Sequence, residues 1–274
     1  MKTKSLIVLS LIILLTTLCG SSKKQKIPFI IDFNKRFVKV DDNFYADKYE
    51  VTVKDYQLFL KERQEKGLDN SLVIYDSTLW GKHWGGPFTA LGDYYFNHDA
   101  SADHPIVCIT HSAAIEFCNW LTDKYNTNPQ KKHKKVLFRL PTEREFVKVA
   151  ISIYDSTKIF FPWGNNTLYD AKKEKLCNFT ELDQKEMMLA DNNKLQYAKS
   201  FPANYVESVG YYKANPYGIF DIVGNASEMI QTDGIAMGGN WLSLGYHVRV
   251  TSQKKYTKSD ITVGFRVYME IIEL

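Results

Sequence analysis

Cysteine and histidine are scarce in this chain, and where they occur the spacing that usually gives them work is missing. The 274 residues hold four cysteines and six histidines. Past Cys19 the cysteines are Cys108, Cys118 and Cys177, an odd number without a CxxC pair, which supplies neither a disulfide framework nor a zinc site. His83, His98, His104, His111, His133 and His247 form no HxH or HxxxH pair. Net charge is also small, +4 over the whole chain, so nucleic acid is not an expected partner. The basic run Lys131-Lys132-His133-Lys134-Lys135 follows Asn128-Pro129 and carries no interleaved aromatics, which reads as a solvated loop. No internal repeat and no low-complexity linker divides the chain.

What is present begins at residue 1. Lys2 and Lys4 precede Ser5 to Leu18, 14 residues without a charge, short of the ~20 that a membrane-spanning helix needs. A basic start, a short apolar core and the small residues Gly20, Ser21 and Ser22 read as a secretory signal over residues 1–19. Cys19 stands where a bacterial lipoprotein carries its lipidated cysteine, although Leu18 is larger than the residue usual before it. Two outcomes stay open, lipidation at Cys19 and ordinary cleavage that discards it. Removing residues 1–18 takes two lysines and no acid, lowering the formal net charge to +2.

The remaining chain is long enough for one large core. Residues 20–40 form a lead-in with strand character, and the main domain runs over 41–274. Thr52 caps a predicted helix with Val53, Tyr56, Phe59 and Leu60 on one face and Gly67 near its stop. A strand over Ile106 to Ile109 and a helix from Ser112 to about Tyr125 follow. Thr142-Glu143-Arg144-Glu145 is a capping box opening a third helix. From Tyr154 to Gly234 periodicity nearly vanishes, which a compact domain tolerates only if the loops are pinned. Strand character returns at His247 to Val250 and Gly264 to Met269.

Several segments, taken in order, resemble the formylglycine-generating, sulfatase-modifying superfamily, a variant of the C-type lectin fold. They are Phe44 to Thr52; His104 to Val107 with Phe117 to Leu121; Phe138 to Glu143; Phe161-Pro162-Trp163-Gly164; Asn215 to Asp221 with Gly224-Asn225-Ala226 and Glu228; Met237 to Trp241; and Gly264-Phe265-Arg266. The resemblance implies an α+β fold with few helices, short strands and much irregular structure.

It also bears on chemistry. Oxidases of this superfamily hold copper through two cysteine thiolates just after the Gly-Gly-Ser-Trp element, soft ligands suited to Cu(I). Here Ser243 takes the first position and no cysteine lies beyond Cys177. Ser227 and Met229 replace tryptophans, and Asn240 replaces the serine. No copper and no formylglycine-generating activity are expected. Related iron enzymes use histidine pairs and often a second helical domain; no HxH or HxxxH pair stands in this sequence, and no second helical domain is expected.

The resemblance further implies two structural calcium sites. The first maps onto Asp221, the carbonyls of Gly224 and Ala226, and Glu228; the second onto Asn178, the Phe179 carbonyl, Asp191 and the Asn193 carbonyl. Hard oxygens on a tight glycine-containing turn suit calcium; the alternative is that Asp221 and Glu228 only cap turns. A candidate groove is marked by Trp241, Ser243, Tyr246, His247 and Arg249.

Three functional readings follow. The first is an exported cell-envelope lipoprotein, periplasmic or on the outer membrane, whose non-catalytic domain binds an envelope protein as an assembly scaffold, as in gliding- and secretion-associated members. The second is an exported non-haem metal oxidase. The third is a variable ligand-binding module of C-type lectin fold. The first is the expectation carried forward.

Overall fold

The computed structural model describes residues 27–84, 90–181 and 205–273. The segment expected to be a signal, with Cys19, lies outside them. A helical turn, α1 (Phe33–Arg36), leads into β1 (Phe37–Asp41) and β2 (Phe44–Asp47). The helix α2 (Val53–Glu65) follows, then α3 (Thr78–Trp84), α4 (Ala90–Asn97) and α5 (His111–Asn126). Next come β3 (Lys135–Arg139) and α6 (Glu143–Ile151). After a long irregular segment come β4 (Ser227–Met229), β5 (Ile235–Met237), β6 (Gln253–Lys255), β7 (Val263–Gly264) and β8 (Tyr268–Glu273). None of the described helices is long and apolar enough to cross a membrane.

Two four-stranded sheets result, ordered β1-β2-β8-β3 and β6-β5-β4-β7. In the first, β8 lies between β2 and β3, with Tyr45 opposite Met269 and Phe138 opposite the same Met269. Both ends of the domain therefore meet in one sheet. In the second, β4 pairs parallel with β7, Glu228 opposite Gly264.

The helix starts follow from their caps. Thr52 and Asp55 close a capping box on α2, and Thr142 and Glu145 close one on α6. The apolar stripes then face inward: Tyr56 and Phe59 of α2 meet Phe117 of α5 at ring separations of 5.6 and 5.4 Å. Phe265 packs edge-on against Phe117 at 5.4 Å. The helix α5 is fixed to β3 by side chains as well, since Thr122 Oγ1 accepts from Phe138 N and Asn126 Oδ1 from Val136 N.

Several expectations need correction. Ile106 to Ile109 is buried but forms no strand, because Cys108 takes φ +61°. Its neighbours bond in different directions, Ile106 N to Val51 O and Cys108 N to Asp260 O. The helix α5 starts at His111, capped by Thr110, one residue before Ser112. The strand character of the lead-in begins only at Phe37. His247 to Val250 has the burial alternation of a strand, with Val248 and Val250 inside, yet joins no ladder. A 3-10 turn at Gly245–His247 rotates the chain just before it. The apparent strand Gly264 to Met269 is two strands, β7 and β8, separated at Phe265–Val267.

Asn215 shows how the irregular segment is held. Its Nδ2 donates to Val149 O at 2.8 Å, and its Oδ1 accepts from the Tyr217 and Ile219 amides. One amide side chain thus ties the loop to the end of α6.

Glu145 does two jobs at the start of α6. It accepts from Thr142 N and pairs with both terminal nitrogens of Arg139 at 2.8 Å. Burial raises its carboxyl pKa, but Arg139 and Thr142 outweigh that and hold it below the ordinary range. Glu145→Ala should cost about 1–2 kcal/mol by denaturant unfolding. The carboxylate's contribution is present above its unfolded pKa of about 4.3 and is lost as pH falls through the lower folded value. The stability gap between wild type and Glu145→Gln should therefore shrink on acidification; a gap independent of pH would show that charge plays no part.

Candidate functional site

The loop Gly238-Gly239-Asn240-Trp241 is built on two left-handed glycines, φ +87° and +73°. A Cβ at Gly239 would fall 2.2 Å from His247 O, so only glycine lets the two segments pass. The loop sends Trp241 into the interior, where its indole lies 6.1 Å from Trp80, 6.0 Å from Trp84 and 6.2 Å from Tyr205. Trp241 is fully buried and lines no groove.

Ser243 closes the same turn. Its Oγ accepts from Asn240 N at 3.1 Å, its amide donates to Asn240 O, and its carbonyl accepts from Thr180 N. Asn240 Nδ2 donates to Ser227 Oγ at 2.9 Å. Two residues that depart from the superfamily pattern are therefore each other's partners. The three described cysteines are buried, and burial pushes each thiol far above its ordinary pKa. None of them is placed to act as a thiolate.

Tyr246, His247 and Arg249 come together on the outside. Tyr246 is 68% exposed and meets His247 edge-on at 5.2 Å. The Arg249 guanidinium carbon lies over the rings of Tyr246 at 4.2 Å and Phe160 at 4.5 Å. The candidate groove thus separates into an interior part, Trp241 with the committed Ser243, and a surface part, Tyr246, His247 and Arg249. Phe160 belongs with the surface part, and nothing in the sequence spacing pointed to it.

The acidic residues assemble elsewhere. Asp47, Glu50, Asp55, Asp221 and Glu228 are buried, against two buried guanidiniums, Arg36 and Arg266. Arg36 pairs with Asp47 and Asp55. Arg266 donates to both oxygens of Glu228, to Asp47 O and to Phe220 O. Glu50 accepts from Ala226 N and Asn225 Nδ2, on the same turn that carries Gly224. Asp221, at φ +53°, turns its carboxylate to the amides of Gly210 and Tyr212. Burial pushes Glu50 well up and Asp221 up to about 6, each raised further by acidic neighbours.

Among the described residues no three acidic, cysteine or histidine side chains are grouped as metal ligands. The first calcium set is hard oxygen in kind, although both Glu228 oxygens already accept from Arg266 and the Asp221 carboxylate from two amides. Glu50, a motif residue given no role from sequence, lies beside the set and is bonded to the Asn225–Ala226 turn. The second set fits less well. Its Phe179 carbonyl already accepts from the Lys175 ammonium, which disfavours a further cation there. Asp191 and Asn193 lie outside the described residues. The two loops do touch, since Asn225 N donates to Asn178 O at 3.0 Å.

A β1-β2-β8-β3 sheet, a second small sheet, a buried Trp241 loop and a long irregular segment define the formylglycine-generating-enzyme-like α+β class. The chain belongs to the family of the sulfatase-modifying factor enzyme 1-like domain, whose model matches residues 18–271. Among solved structures it is similar to PvdO from Pseudomonas aeruginosa, with 17% identity, a TM-score of 0.53, and 83% of this chain and 80% of that one covered. It is also similar to CarF, at 16% identity and a TM-score of 0.54, covering 86% and 93%. The variable protein 1 of Treponema denticola matches at 16% identity and a TM-score of 0.50, covering 86% and 91%. At such identities these likenesses show the fold. No curated protein matches the chain.

Arg266 is fully buried and Glu228 nearly so. Removing the guanidinium leaves a buried carboxylate unpaired, so Arg266→Ala should destabilise by about 3–5 kcal/mol. The double change Arg266→Met, Glu228→Leu should cost clearly less than the sum of the two single changes, measured as a double-mutant cycle in urea. Strict additivity would mean that the pair is not coupled.

Proposed function

We propose that the chain is an exported, lipid-anchored protein of a bacterial cell envelope whose sulfatase-modifying-factor-type domain binds a protein partner and does not oxidise cysteine. The observation that carries the non-catalytic reading is Ser243. Where the superfamily's oxidases hold their first thiolate, this chain has a hydroxyl already spent on closing its own turn. The partner-binding reading is supported by the outer face of the same loop. There an exposed tyrosine, a histidine and a stacked arginine make a compact patch of the residue types that dominate protein interfaces. Export and anchoring rest on the 14-residue apolar segment and on Cys19.

One preparation tests both halves. A photo-crosslinker at Tyr246 in native membranes should capture a discrete protein partner, and Cys19→Ser should release the chain to the soluble fraction or block its processing. Wild type that is fully soluble with an N-terminus beyond Cys19 would remove the anchor. Stoichiometric iron or copper in the recovered protein would favour the oxidase.

Calcium enters the same proposal as a structural ion, held by Asp221, the carbonyls of Gly224 and Ala226, and Glu228. The support is the charge excess: five buried carboxylates face two guanidiniums. A cation binding only the native state stabilises by roughly 2.7 kcal/mol at about a hundredfold excess over Kd. The melting midpoint should fall in chelator and recover with calcium but not magnesium, and Asp221→Ala, Glu228→Ala should remove most of that response. Identical melts of metal-free and calcium-loaded protein would rule the ion out.

A further inference from the structure

Arg249 stands apart from the other arginines that the fold encloses. Among the described residues Arg36, Arg63, Arg139 and Arg266 each face a carboxylate within 4 Å. Arg249 has no such partner; its guanidinium lies over the rings of Tyr246 and Phe160 at 4.2 and 4.5 Å. Its Nε is buried without a hydrogen-bond acceptor. A buried donor of a charged group left unmade is costly, and a fold keeps one only where something else offsets or completes it.

The backbone beneath is fixed from both sides. Val248 and Val250 are fully buried, Arg249 N donates to Ser252 Oγ, and Val250 N donates to Phe160 O. Phe160 N in turn donates to Asn166 Oδ1. The arginine's root and one of its two rings are therefore locked together, and only Tyr246, 68% exposed, is free to adjust. Stacking on rings holds a guanidinium plane while leaving its in-plane donors unused.

We propose that Arg249 is a carboxylate-recognition site, in which an acidic side chain of a protein partner takes the two terminal Nη donors of the guanidinium while Tyr246 and Phe160 hold its plane. This rests on the reading of the chain as a protein-binding module and names the chemistry of the partner's contact. Charge and shape decide for a carboxylate. One guanidinium balances one negative charge, and its fork matches the two coplanar oxygens of a carboxylate. The neighbouring His247 adds at most one further positive charge, and only when protonated. A doubly charged oxyanion such as phosphate would call for more cations than this patch provides.

The experiment is an NMR titration of the full chain, read at the Arg249 Nε–Hε cross-peak, which is assigned by its loss in Arg249→Lys. The probes are the peptide acetyl-Gly-Asp-Gly-amide, its Asn counterpart, sodium sulfate and inorganic phosphate. The Asp peptide should move the cross-peak saturably and the Asn peptide should not. Tyr246→Leu should weaken the Asp-peptide response by about tenfold, with an unchanged melting midpoint as the control for folding. In Arg249→Lys, the amide shifts around residue 246 that accompany Asp-peptide binding should weaken by a similar factor, because an ammonium keeps the charge but loses the fork. An unmoved cross-peak, an equal shift with the Asn peptide, or a response to sulfate or phosphate alone would overturn the assignment. A partner captured by the Tyr246 crosslinker alongside a silent titration would leave the scaffold reading standing and sink this one.

Discussion

Two buried guanidiniums hold this fold together. Arg266 binds Glu228 with both oxygens and caps the carbonyls of Asp47 and Phe220, so one side chain joins β2, the irregular segment, β4 and the run into β8. Arg36 takes the carboxylate of Asp47 and, through Asp55, the first turn of α2. Asp47 is shared between them, its carboxylate to one arginine and its carbonyl to the other. Charges this deep are costly to desolvate, and they persist only when each is paired and hydrogen-bonded. Here the pairing also fixes where four distant segments lie.

With those segments fixed, amide side chains finish what regular structure leaves undone. A loop packed inside a domain must find partners for its backbone groups. Asn215 supplies them at the end of α6, and Asn225 joins Glu50, the Glu207 carbonyl and amide, and the Asn178 side chain. Asn225 takes φ +54°, a conformation asparagine tolerates better than most residues. Among the described residues Glu50 and Asp221 are the buried carboxylates without an ion pair, and burial with acidic neighbours raises the pKa of both.

The loop that carries Gly238 to Trp241 keeps its shape through close backbone passage and ring packing. Gly238 and Gly239 make the close passage, and Trp241 anchors the loop among Trp80, Trp84 and Tyr205. At its end Ser243, Asn240 and Ser227 bond to one another and to the backbone. On the other side of the same loop the Arg249 guanidinium lies over the rings of Tyr246 and Phe160.

Local signals determined α2 and α6, because a capping box needs only four consecutive residues: Thr52 with Asp55 and Thr142 with Glu145 are legible in the chain and present in the fold; α1, α3 and α4 carried no such signal. The family was legible too, since its marks are short collinear segments, and Asp221, Glu228 and Arg266 were visible as motif residues. What the sequence could not fix is partnership across long separations. Ile106 to Ile109 and His247 to Val250 carry strand-like alternation, yet neither joins a ladder, because a left-handed Cys108 and a 3-10 turn at Gly245–His247 redirect their backbones. Glu228 meets Arg266 across 38 positions, and Glu50 meets Asn225 across 175. Phe160 reaches Arg249 only because Val250 N bonds back to Phe160 O. Burial and hydrogen-bond satisfaction over the whole chain choose such partners, and those are properties of the tertiary structure alone.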